Sequence, residues 1–117
     1  DEKDTVDLQL TVEDAIVGLD QSTIPLVFSL SQNYPNPFNP TTKIDYGLPE
    51  EANVLLVIFD ILGREVITLV NGIQEPGYRS MTWNGTDAFG RNVSAGMYIY
   101  MIRAGNFIQT KKMVLLK

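Results

Sequence analysis

Neither cysteine nor histidine occurs among the 117 residues. The first absence excludes disulfides, thiolate nucleophiles and thiolate metal sites. The second removes the commonest general base near neutral pH and the commonest zinc ligand. Carboxylates, hydroxyls, lysine and tyrosine are all that remain for chemistry. Long apolar runs are missing as well: Val54–Phe59 and Met97–Ile102, the longest, are too short to cross a bilayer as helices. The opening Asp1–Asp4 is not the basic-then-apolar run of a signal peptide, so the expectation is a stretch cut from a longer polypeptide. Acids are absent after Asp87, where Arg91, Arg103, Lys111, Lys112 and Lys117 follow, whereas residues 1–20 carry seven acids against Lys3 alone. Five scattered cations lack the density of a nucleic-acid footprint, so no nucleic-acid partner is expected; they read as solvated strand faces.

What is present fits one ordinary globular domain. Hydrophobic residues make up 44% of the chain and the mean hydropathy is zero, which excludes a disordered segment. Val6, Leu8, Leu10 and Val12 alternate over residues 5–13, the period of a half-buried strand. Gly18, Asp20, Ser22 and Pro25 break that period. Residues 1–25 therefore read as a strand and linker from an upstream region, and 26–117 as the domain proper. The proline-rich stretch Tyr34–Pro40 cannot donate a regular ladder, so it should run extended at an edge or between sheets, anchored in the core by Tyr34 and Phe38. Asn33, Asn36 and Asn39 are suited to fixing its bends on nearby backbone.

From Thr41 onward short alternating strands are punctuated by turns: Pro49–Glu51, Asp60–Gly63, Asn71-Gly72 as a hairpin, Pro76-Gly77, a loop over 84–96, and Ala104–Asn106 as a second hairpin. No helical period and no internal repeat stand out. Six or seven strands at this spacing predict an all-β, immunoglobulin-like sandwich of about seven antiparallel strands. Its expected core includes Tyr46, Val54, Leu56, Ile58, Trp83 and Tyr100.

Candidate chemistry is thin. The loop Asn84–Asn92 offers oxygens but lacks the ligand spacing of a calcium loop, so Asp87 is expected to cap its own turn, closed by Gly90. Asp45, Asp60, Glu65 and Asp87 fall at strand ends and turns and not as a cleft dyad. No catalytic residue, metal site or cofactor is expected. Trp83, Tyr98 and Tyr100 would suit a carbohydrate-binding platform only if exposed, and their alternation favours the core. The two six-residue apolar runs resist a bland reading, because strands with one wet face should alternate with polar residues. Leu55, Val57 and Phe59 lie opposite Val54, Leu56 and Ile58 and should be covered, by residues 5–13 or by self-association with a second copy.

Read in order, Gln32–Thr42, Gly47–Pro49, Val54–Val66, Glu75–Gly77, Trp83–Gly85, Ser94–Tyr98 and Lys111–Lys117 form a set. From Phe28 to Lys117 the chain thereby resembles the C-terminal sorting domains (type A) of cargo for the type IX secretion system. Leu55 and Val57 depart from that family, which usually places polar residues there. The resemblance implies a β-sandwich carried behind a cargo domain in the same chain, recognised by the outer-membrane translocon and often removed by a sortase-like protease. The cargo would pass through the periplasm to the surface, or the outside, of a Gram-negative bacterium. Carried over as candidate recognition residues are Gly96, Tyr98, Lys111, Lys112 and Lys117. The immunoglobulin-like domain of flagellar hook-capping proteins is a sister resemblance through Trp83–Gly85 and Ala95–Tyr98, and implies a structural or assembly role instead.

Overall fold

Residues 24–117 are described by the computed structural model, so the alternating segment 5–13 and the linker up to residue 23 lie outside the described residues. Within 24–117 the period-two segments form β1 (Ser29–Leu30), β2 (Thr42–Leu48), β3 (Ala52–Asp60), β4 (Glu65–Gln74), β5 (Gly77–Trp83), β6 (Gly96–Ala104) and β7 (Phe107–Leu115). They pair antiparallel in two sheets, ordered β1-β2-β5 and β4-β3-β6-β7. This is an immunoglobulin-like β-sandwich.

Alternation decides which side chains meet between the sheets. Ile44, Tyr46 and Leu48 of β2 face Val54, Leu56 and Ile58 of β3 and Tyr98, Tyr100 and Ile102 of β6, all buried. Strand β4 departs from strict alternation. Register shifts against β3, between Leu56 and Val57 and again between Ile58 and Phe59, mark two bulges. An extra residue at each bulge lets two neighbours turn inward. Val66 with Ile67 and Leu69 with Val70 accordingly all pack on the core.

Two expectations fail. Asn71-Gly72 is not a hairpin: β4 runs through it, pairing Asn71 with Leu55 and Gly72 with Val54, and ends only at Gln74. The chain then crosses to the other sheet through Glu75-Pro76, and Gly77 opens β5 at φ +145°. An Asn-Gly pair only permits a tight turn; a ten-residue ladder against β3 outweighs it. Tyr34 is not a core anchor. It is 78% exposed, while Phe38 alone of the pair is buried. Pro25, assigned to the linker, is buried and crowds Gly47, where an added Cβ would come within 3.0 Å of its ring and 2.9 Å of Ser29 Oγ.

Candidate functional site

The proline-rich stretch and the last strand, far apart in sequence, form one unit. Gln32 Nε2 donates to the Lys112 carbonyl at 2.7 Å, and Asn36 Oδ1 accepts from Val114 N at 3.0 Å. Phe38 N donates to the Val114 carbonyl at 2.9 Å and Leu116 N to the Phe38 carbonyl at 2.8 Å. Residues 32–38 thus clasp the outer edge of β7, satisfying backbone groups that would otherwise be an open strand edge. The clasp is pinned from inside. Tyr100 Oη accepts from Asn33 N at 2.8 Å and donates to the Ser31 carbonyl at 2.7 Å. Burial pushes the Tyr100 hydroxyl up to about 12, partly opposed by the Asn33 N–H. Asn33, itself buried, donates through Nδ2 to Thr42 Oγ1 at 2.9 Å.

Beside this unit lie two turns, Asp60–Gly63 and the one that Asp87 caps as expected, whose shared pattern is not among the sequence expectations. Asp60–Arg64 and Asp87–Arg91 share the pattern Asp-x-x-Gly-Arg, and they fold alike. Asp60 Oδ1 accepts from the backbone N–H of Leu62 and of Arg64, each at 2.9 Å, and Asp87 Oδ1 accepts from Phe89 N at 2.9 Å and Arg91 N at 3.0 Å. Each Oδ2 takes the Nε–H of its own arginine, at 2.8 and 3.0 Å. Gly63 and Gly90 sit at φ +85° and +81°, where a side chain would be strained. Hydrogen bonds, first of all those from Arg64 N and Arg91 N, hold both carboxyls below their ordinary values. Ala88 N donates to the Val66 carbonyl at 3.1 Å, joining the two turns across a groove of about 530 Å³. Ile61, Leu62 and Phe89 stand exposed at the tips, Phe89 at 81%, with the Arg91 guanidinium 5.0 Å from its ring centre. Beneath them Trp83 meets Phe38 and, edge on, Tyr98 at 5.3 Å, and its Nε1 donates to the Thr86 carbonyl. The repeated five-residue pattern was the signal available in the sequence.

The five carried-over residues do not converge on one surface. Gly96, at φ +146°, is exposed at the start of β6, opposite Leu115. Tyr98 is buried, with its hydroxyl donated to the Ser94 carbonyl, so a partner of the folded domain cannot reach its ring. Lys111 and Lys112 point to opposite sides of β7: Lys111 is half-buried and pairs with Tyr100, whereas Lys112 is exposed and pairs with Ile99. Lys117 is exposed beyond β7. Trp83, Tyr98 and Tyr100 are all buried and leave no aromatic platform for a sugar. Asp45 bonds Ser80 Oγ and Glu65 bonds Thr68 Oγ1 at 2.8 Å, so with Asp60 and Asp87 each acid is tied to local turn or strand partners. Among the described residues no group of three or more acids gathers as a metal would need.

The fold has counterparts in known proteins. The model of the FlgD Ig-like domain matches residues 33–106, more than half of the chain. Dimeric latent PorU from Porphyromonas gingivalis is similar in structure at 20% identity and TM-score 0.58, over 73% of this chain and 9% of that one. PorZ of the same organism, an essential bacterial surface component of its type-IX secretion system, is similar at 20% identity and TM-score 0.52, over 77% of this chain and 11% of that one. FLGD from P. aeruginosa is similar at 22% identity and TM-score 0.50, over 77% of this chain and 74% of that one. At these identities the likeness is one of fold, and the chain spans only about a tenth of PorU or PorZ. No curated protein matches the sequence.

Proposed function

The chain belongs to the FlgD Ig-like domain family, and on that footing we propose that it is a non-catalytic docking module that directs an attached cargo protein through the outer-membrane type IX secretion machinery. The observation that carries this reading is the clasp. Gln32–Phe38 and Lys112–Leu116 both belong to the ordered set through which the sequence resembles sorting domains, and they are hydrogen-bonded into one unit. Residues 107–117 also lie outside the stretch that the family model matches. A fold relative in a surface component of a type-IX secretion system adds support. In this reading the partners are the translocon, a sortase-like protease and the upstream cargo domain, and the destination is the cell surface or beyond.

A reporter protein sent to the periplasm with this chain at its C-terminus tests the proposal in a bacterium that has the machinery. Export to the surface or medium is expected, and it should fall when Lys111→Ala and Lys112→Ala are combined. A fusion that stays periplasmic beside an exported control cargo refutes the sorting role. The second reading, a structural assembly domain of the hook-cap kind, is favoured by the mutual coverage with FLGD. It predicts that periplasmic outcome, with removal of the domain harming assembly of its own polypeptide instead of export.

A further inference from the structure

Strand β7 is clasped along only half of its outer edge. In an antiparallel ladder the N–H and C=O of one residue face the same edge, and alternate residues face opposite edges. Lys112, Val114 and Leu116 bond outward to residues 32–38, so Ile108 and Thr110, in step with them, face outward too. Before Gln32 the chain keeps to the other sheet: Ser31 N donates to the Asp45 carbonyl and Leu30 pairs with Tyr46. Among the described residues the backbone of Ile108, that of Thr110 and the N–H of Lys112 therefore have no partner. This open stretch is about 13 Å long. The other edges are guarded by devices that discourage pairing. β1 has two residues, β4 is bent by two bulges, and β5 turns the half-buried Arg79 inward beside Tyr46. β7 has none of these on its open half, and it pairs with β6 in unbroken register.

We propose that this open half-edge docks an extended acidic segment of a partner protein, which adds to the sheet as a further strand. Backbone bonds would hold it, and the charge of the edge selects it. Strands β6 and β7 carry Arg103, Lys111 and Lys112 and no acid. Ile108 is 58% exposed, with Arg103 as its cross-strand partner, and Thr110 and Lys112 are exposed on the same face. Side chains of an added strand opposite Ile108 and Lys112 would share that face. An aliphatic one packs on Ile108, and a carboxylate meets Lys112. A second copy is a poor occupant, because β7 laid against β7 would crowd the same lysines from both copies. An acidic partner strand fits either functional reading, sorting or assembly, and depends on neither.

Residue-resolved amide hydrogen exchange in the full chain tests this. The Ile108 and Thr110 amides should exchange fast in the free protein, while that of Gln109, which faces β6, stays slow as the internal control. A blocked six-residue peptide of alternating valine and glutamate, at about millimolar concentration, should slow Ile108 and Thr110 several-fold. The same peptide with lysine in place of glutamate should leave them fast, and Lys112→Glu should abolish the slowing by the glutamate peptide. Amides already slow in the free monomer overturn the proposal, because the edge is then occupied from within the chain. Slowing that grows with protein concentration alone overturns it in favour of a second copy. Rates indifferent to the glutamate peptide, equal with both peptides, or slowed as much in the Lys112→Glu chain overturn it as well.

Discussion

Trp83 ends β5 directly under the twin turns, touching Phe38 and Tyr98 and donating to the Thr86 carbonyl. Truncating a buried aromatic removes its transfer energy and leaves a cavity, so Trp83→Ala should cost about 3–5 kcal/mol. An unchanged thermal midpoint would place the ring at the surface. Asp60 and Asp87 act at the same scale through charge. Each carboxylate binds two backbone N–H groups and one guanidinium, and its pKa lies below the ordinary 3.8. A depressed folded-state pKa contributes stability above the unfolded value, lost as pH falls through the folded one. The stability–pH curve should therefore descend below about pH 4. Asn at both positions keeps an oxygen for the backbone donors but loses the charge, so Asp60→Asn with Asp87→Asn should flatten that descent. A curve of unchanged steepness, followed by urea midpoint against pH, would show that these carboxylates titrate alike folded and unfolded.

Elements were legible where the signal was periodic and less so where it was local. The alternation of β2, β3 and β6 marks both the strands and the inward residues Tyr46, Val54, Leu56, Ile58 and Tyr100, all buried. Tyr34 was misjudged because a proline-rich stretch has no period from which to read a face. The clasp it belongs to depends on side-chain bonds to a strand some 80 positions away, and nothing local encodes that. The twin turns were legible singly, as Asp60–Gly63 and as the turn capped by Asp87, but not as a repeated pentapeptide whose copies meet across a groove. Asn71-Gly72 is the instructive error, because a turn signal and a strand position make opposite demands on the glycine. In a tight hairpin Gly72 would need positive φ; in β4 it is an ordinary strand residue with nothing within 4 Å of an added Cβ. Glycine within a strand costs roughly 0.5–1 kcal/mol relative to alanine. Gly72→Ala should therefore raise stability by about that amount, and a fall in the denaturation midpoint would restore the hairpin.

At the scale of the whole molecule, the last strand belongs at once to the core and to the stretch proposed for recognition. Met113 and Leu115 are fully buried, and β7 takes its whole inner ladder from β6 and its outer bonds from residues 32–38. Removing residues 113–117 would strip two core side chains worth about 2–5 kcal/mol each. It would also leave Phe38 without its backbone partners. Domains of this size hold only about 5–15 kcal/mol in total, so a chain ending at Lys112 should lose its cooperative melt. Loss of export after such a deletion therefore reports unfolding first. The exposed lysine is separable from the fold: surface substitutions usually change stability by less than about 0.5 kcal/mol. Lys112→Ala should leave the melt intact, while the half-buried Lys111, whose stem lies beside Tyr100, should cost more when cut to alanine. A chain ending at Lys112 that still melts cooperatively at the original midpoint would detach β7 from the core and free the deletion to report recognition alone.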